Sequence, residues 1–274
     1  MIFRVVLRDL VAYRELLLQF VRRDISVRYR QAIMGFGWAI LLPLLTMGAS
    51  LVLRAVAFKP GSVDAPPIAA LAIKAWVWGF VAGGLNFGSQ SLLSNIQLVT
   101  KIYFPREVLP VAAILTQCVD GLIGLAVIAI ALPFLGMTLG PSALWFPVLL
   151  LLLVLLVIGI SLLLAAANIF FRDVKYIVQV FLTFGLFFMP VVYDPTQVSG
   201  LARTFLMANP FAGILVGIDI SLTRGMGLTS HHLTSTGILW QPTDLIAPVV
   251  GTLVLLAVGM SVFRRGAAWF AEVY

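Results

Sequence analysis

Six stretches of the chain are almost pure hydrocarbon, and most of the charged residues fall between them. The runs lie at about 35–57, 68–93, 109–134, 143–169, 175–193 and 244–263. A helix crosses a bilayer core with about 20 mostly apolar residues, so the pattern predicts six spans. The fourth run is the clearest, with LLLLLVLLVIGISLLLAAA at its heart, and the fifth is the shortest, ending at FFMPVVYDP.

The segments between the runs carry a different signal. In the first 30 residues Leu7, Leu10, Val11, Leu17, Leu18, Val21 and Ile25 recur at helical spacing. Arg8, Glu15, Gln19, Arg22 and Arg23 fall largely on another face, although Arg14 interrupts the apolar stripe. This predicts an amphipathic helix in the headgroup layer. The segment 194–243 predicts two short helices outside the membrane, dipping toward it. Its two apolar stretches are too short to span, Asn209 stands where an N-cap would, and Pro210 follows at the first helical position. Gly225 and Gly227 punctuate the end.

Composition decides the solvent. The chain of 274 residues is 61% hydrophobic and only 11% charged, with a mean hydropathy of +1.08. A soluble domain carries about 25% charged residues, so the bilayer is the medium this sequence fits. Its net charge of +7 belongs to a membrane protein whose basic residues gather on the cytoplasmic side and meet anionic headgroups; no nucleic-acid partner is expected. With the N-terminus inside, thirteen basic residues fall in cytoplasmic segments: Arg4, Arg8, Arg14, Arg22, Arg23, Arg28, Arg30, Lys101, Arg106, Arg172, Lys175, Arg264 and Arg265. Three fall outside: Lys59, Arg203 and Arg224. That asymmetry predicts both termini inside. The charged N-terminus lacks the uninterrupted apolar core of a cleaved signal peptide.

Catalytic chemistry is hard to assemble. The phosphate-loop pattern G-x-x-x-x-G-K-[ST], G-x-S-x-G and H-E-x-x-H are all missing from the sequence. The lone Cys118 lies in an apolar run, and the adjacent His231 and His232 read as a surface pair rather than metal ligands. Asp120, near the middle of the third run, is an intramembrane carboxylate. Such groups are functional by default, but a single one more simply hydrogen-bonds a neighbouring helix. Arg54 and Lys74 lie near the outer ends of their runs, where they can snorkel to the interface. Trp76, Phe80 and Phe87 share roughly one face of the second run and, with Phe184 of the fifth, are candidates to line a channel, although ordinary packing and an aromatic belt explain them too. The small-residue pairs Gly79/Gly83 and Gly84/Gly88 permit close helix contact.

The stretch KIYFPREVLP, Lys101–Pro110, is a stiff charged patch between two apolar runs. Two prolines bracket a turn, Tyr103 and Phe104 offer apolar anchors, and Lys101, Arg106 and Glu107 offer charge. The preceding SNIQLVT can form a short surface helix. Such an element suits the passage of force from a soluble partner.

Several motifs in register resemble one family. RRDISVRYRQAIMGFGWAILLPLL at 22–45, LVTKIYFPREVLPV at 98–111, NIFFRDVKYIVQ at 168–179, MPVVYDP at 189–195 and ANPF at 208–211 are similar, in order and spacing, to the polysaccharide-exporting permeases of type-2 ABC transporters. The O-antigen and teichoic-acid exporters are the members most alike. The resemblance implies an all-α membrane protein forming a single permease domain over 1–274: a cytoplasmic interface helix within 1–34, five spans over 35–193, an extracytoplasmic gate segment at 194–243 with two short helices, a sixth span at 244–263 and a cytoplasmic tail at 264–274. It implies a homodimer in the inner membrane of a bacterium, paired with two copies of a separate ATPase that holds ATP and magnesium; no cofactor belongs to this chain. Leu98, Lys101, Tyr103, Phe104, Pro105, Arg106 and Glu107 would form the coupling helix and turn. Leu201, Phe205, Asn209, Pro210 and Phe211 would belong to the gate. The substrate would be a polyprenyl-diphosphate-linked glycan, and Arg22, Arg23, Arg28 and Arg30 could meet its headgroup; binding of anionic membrane lipid is the equal alternative for them. Capsule or teichoic-acid export, and export of drugs or small lipids by the same fold, remain open, as do a membrane-embedded transferase and a passive channel.

Overall fold

The structure is a computed structural model and describes residues 2–30, 35, 37–57, 68–135, 140–191, 193–234, 237–267 and 269–270. The side chains of Arg4, Leu7 and Arg54, residues 31–34 and 36 of the RRDISVRYRQAIMGFGWAILLPLL motif, Lys59, Val192 and residues 271–274 fall outside that set.

Each apolar run becomes a helix. They are α3 (Gly37–Ala57), α4 (Ile68–Gln90), α6 (Val108–Ala131), α7 (Trp145–Phe170), α8 (Val174–Phe188) and α11 (Ile246–Ala267). Among the described residues, α4, α6, α7 and α11, the last two with their leading turns, are long and apolar enough to cross a membrane. The apolar part of α3, Gly37–Ala49, and the whole of α8 are shorter. The fifth run stops early because Met189 leaves the helical region, with an extended backbone, just before Pro190. The protein is thus an all-α membrane protein, with one small addition: a two-stranded antiparallel hairpin of β1 (His232–Thr234) and β2 (Gly237–Trp240), which the apolar pattern did not predict.

The middle of the bundle is α4, which packs on α3, α6, α7 and α8. The tightest pair is α7 with α11. Gly159 and Gly259 bring the two backbones together: a Cβ on Gly159 would stand 2.7 Å from the Leu256 Cα, and one on Gly259 would overlap the Gly159 carbonyl. Small residues at such a crossing allow backbone-level contact. Much of the surface of α3, α8 and α11 is apolar and exposed, as a hydrocarbon solvent permits.

Two buried clusters occupy the two ends. One gathers α1 (Ile2–Ala12), α2 (Arg14–Arg30), the start of α6 and the ends of α7 and α11. The other gathers the far halves of α4 and α7, the hairpin and α10 (Pro210–Thr223), whose residues 211–222 are all buried. The helix α9 (Gly200–Ala208) meets α10 at 94°. The cap read from the sequence is present: Asn209 accepts the Phe211 N–H at 3.0 Å, with Pro210 at the first helical position. Gly225 ends the segment with φ of +64°, a left-handed conformation that suits glycine. What differs is depth. α10 is enclosed by protein rather than laid on a surface.

Candidate functional site

Both ends of the described chain meet the KIYFPREVLP turn. The short α5 (Ile96–Lys101) precedes it, as the SNIQLVT pattern predicted. Arg264, in the last turn of α11, donates to Glu107 at 2.8 Å and to Asp9 of α1 at 2.7 Å. Arg106 donates to the Ala267 carbonyl and lies near the Phe270 ring. Phe270 in turn packs on Phe263 and Phe170. The turn is therefore riveted to α1 and α11. A cavity of about 610 Å³ lies beneath it, lined by Asp9, Tyr13, Tyr103, Glu107 and Arg264 among others.

The candidate coupling residues divide into two sets. Tyr103 is 98% exposed and Lys101 is exposed, while Leu98 and Pro105 are half-buried. Phe104 is buried against Phe20, with ring centroids 6.1 Å apart, and Glu107 is buried with Arg264. Phe104 is therefore an apolar anchor that faces the bundle, whereas Lys101, Ile102 and Tyr103 are exposed.

The basic residues of α2 divide as well. Arg22 and Arg30 are exposed. Arg23 pairs with its neighbour Asp24 at 2.8 Å and lies over the Phe20 ring. Arg28 turns inward: it donates to Asp120 of α6 and stacks on the Phe87 ring of α4 at 4.1 Å. The Tyr29 hydroxyl donates to the other Asp120 oxygen at 2.6 Å. Asp120 thus bonds a neighbouring helix, as its isolation suggested. Burial draws the Arg28 guanidinium below its ordinary value, against an opposing pull from Tyr29 and Asp24, and pushes the Tyr29 phenol up.

Three of the four channel candidates come together. Trp76, Phe80 and Phe87 line one cleft of about 430 Å³, bounded by α2, α3, α4 and α6, with Arg28, Tyr29, Gln117 and Asp120 at one end. Phe184 lies elsewhere, on the exposed face of α8. Of the gate candidates, Leu201 and Phe205 of α9 are largely exposed, Asn209 and Pro210 form the corner, and Phe211 is buried.

The end containing α10 holds an ionic network that the apolar pattern hid. Lys74 and Asp219 are wholly enclosed and 3.2 Å apart. The Asp219 carboxylate also accepts from Thr223 at 2.7 Å, and Arg224 pairs with Asp194 of the MPVVYDP motif. The expectation that Lys74 snorkels is corrected, because α10 supplies a carboxylate inside the fold. The signal was there: Asp219 is a lone acid in an apolar helix, the same feature that marked Asp120. Nearby, Arg203 pairs with Asp244 at 2.7 Å. His232 bonds the Gly227 carbonyl and His231 is exposed; no cluster of metal-binding side chains occurs among the described residues.

Known proteins are similar to this chain over nearly its whole length. The chain is 28% identical over 271 residues to the O-antigen export system permease protein RfbA of Myxococcus xanthus, covering 97% of each. It is 25% and 24% identical to two proteins of that name from Klebsiella pneumoniae, over 94% of this chain and 95% of each relative. The resemblance to polysaccharide-export permeases stands. No protein-family model matches the chain. The likeness extends over nearly the whole chain, so that α1, the KIYFPREVLP turn and the α9–α10 corner all lie within it.

Proposed function

We propose that this chain is the membrane-spanning subunit of an ABC system that exports a lipid-linked polysaccharide, O antigen in the first instance, across the bacterial inner membrane. The observation that carries the reading is the end-to-end likeness to O-antigen export permeases. The six apolar helices cross the membrane with both termini inside, in accord with the arginine-rich end that unites α1, the turn and the end of α11.

Two copies of the chain pair with two copies of an ATPase. The exposed Tyr103 and Lys101 meet the ATPase, while Phe104, Arg106 and Glu107 hold the turn to the bundle so that movement is passed on. Leu201 and Phe205 on α9 form the moving part of an outer gate. Asn209, Pro210 and Phe211 join it to α10, which the Lys74–Asp219 pair anchors. Arg22 and Arg30 attract the substrate diphosphate, since guanidinium groups form paired hydrogen bonds to phosphate. Arg28 positions α2.

Deletion of the chain in its host tests the reading. Loss of surface glycan, with accumulation of lipid-linked glycan at the inner membrane and rescue by the intact chain, is expected. Unchanged glycan pools would refute it and favour export of another lipid or drug.

A further inference from the structure

Among the described residues, α9 is held to the rest of the fold by a narrow face and one ion pair. Arg203, Leu206 and Met207 turn inward, at i, i+3 and i+4. Leu201 and Phe205 stand on the other side, 79% and 77% exposed. A helix of nine residues is not stable alone in water, so its place depends on what the inner face grips. Arg203 supplies the polar part of that grip. It donates to the Asp244 carboxylate at 2.7 Å through Nη2, and to the Ile238 carbonyl of β2 at 3.3 Å through Nε. One guanidinium thus ties α9 both to the hairpin and to the turn Pro242–Leu245 that leads into α11.

This pair can part without stranding a charge. The Lys74–Asp219 pair cannot, since both of its side chains are wholly enclosed. The Arg203 and Asp244 side chains keep 12% and 7% of their surface exposed, so a short lift of α9 returns the arginine to water. Asp244 is not left bare either, because its Oδ2 keeps the Gln241 N–H at 2.9 Å. The chain also offers a bend at each end of α9. Gly200 has φ of +61°, and a Cβ there would meet nothing within 4 Å. Asn209 leaves the helix with an extended backbone, ψ 119°. Rotation at these two points moves α9 without melting it.

We propose that Arg203 is the positioning residue of α9. Paired with Asp244 it holds the helix down; when the pair parts, α9 detaches as a unit, pivoting at Gly200 and Asn209, while α10 stays in place. The inference deepens the outer-gate reading by naming what restrains the moving part, and it rests on that reading for the purpose of the motion alone.

The test uses the purified full chain in nanodiscs, with Cys118→Ala and one reporter thiol on the inner face, Met207→Cys, at a position that is buried. Alkylation by a water-soluble maleimide then reads how often α9 lifts. Adding Arg203→Met should raise the rate about tenfold, and Asp244→Asn should raise it several-fold. Arg203→Lys should fall between the parent and Arg203→Met, because one ammonium does not reach Asp244 and the Ile238 carbonyl as the guanidinium fork does. A second reporter, Ser221→Cys in the buried α10, should stay protected in every variant. If Arg203→Met does not fold, Arg203→Lys decides, with an increase expected at Met207→Cys alone. Labelling of Met207→Cys indifferent to the Arg203 changes would overturn the proposal. So would equal increases at Ser221→Cys, the mark of general loosening. No ATPase and no substrate enter the assay, so it can fail while the glycan test succeeds, or the reverse.

Discussion

Lys74 of α4 and Asp219 of α10 meet at 3.2 Å with neither side chain exposed. Such a pair is not strong evidence of net stability, because desolvation of both charges offsets their attraction. Removing one partner is a different matter, since it strands a charge in a low-dielectric interior. Lys74→Ala or Asp219→Asn should therefore destabilise the chain by about 3–5 kcal/mol, seen as a lower thermal midpoint in detergent. Lys74→Met with Asp219→Leu should recover most of the loss. A double variant as unstable as the singles would show that packing rather than charge governs the site.

Tyr103 and Phe104 are neighbours in sequence with opposite environments, 98% and 7% exposed. Phe104→Ala should cost about 3–5 kcal/mol of stability, as for other buried aromatic truncations. Tyr103→Ala should leave stability unchanged but weaken ATPase binding by about 2 kcal/mol if it is an interface anchor. Thermal midpoints, with co-purification of the ATPase, separate the two effects. Intact ATPase binding by Tyr103→Ala would remove this tyrosine from the docking surface.

What the sequence disclosed follows from the range of the forces involved. The Asn209–Pro210 cap and the Gly225 stop are local, set by backbone groups within a turn, and both were legible. The apolar runs were legible because each residue meets the same solvent; where Met189 ends α8, a local break shortened the run. The Lys74–Asp219 and Arg264–Asp9 pairs join distant parts of the chain, and no periodicity records which charge another helix will present. The direction of Phe104 was hidden for a related reason. In a turn between two prolines neither helical nor strand spacing assigns a face. The cleft shared by Arg28 and Trp76 needed the crossing of four helices before it existed.

Arg264 holds Asp9 and Glu107 together at the arginine-rich end. Arg264→Ala would leave those carboxylates without this shared cation and loosen α11 from the turn. ATP hydrolysis by the reconstituted complex should then persist while export per ATP falls several-fold. Arg264→Lys should restore only part, because a single ammonium does not reproduce the guanidinium fork. Equal losses of hydrolysis and export would point to failed assembly instead of failed transmission.

Arg28 and Tyr29 clasp Asp120 from α2, whereas Arg22 and Arg30 stand exposed on the same helix. The two sets should respond differently. Arg22→Glu with Arg30→Glu should reduce export without lowering the thermal midpoint, and Arg28→Ala should lower it by leaving Asp120 uncompensated. Tyr29 adds a pH dependence. Its phenol is held above the ordinary value by burial, so its contribution is complete below the unfolded value near pH 10 and is lost as pH rises through the higher folded one. Tyr29→Phe should remove that alkaline step from the stability profile, and difference absorbance should show one late-titrating tyrosine disappearing with it. A step that survives in Tyr29→Phe would place the alkaline transition in another group and leave the clasp resting on Arg28 alone.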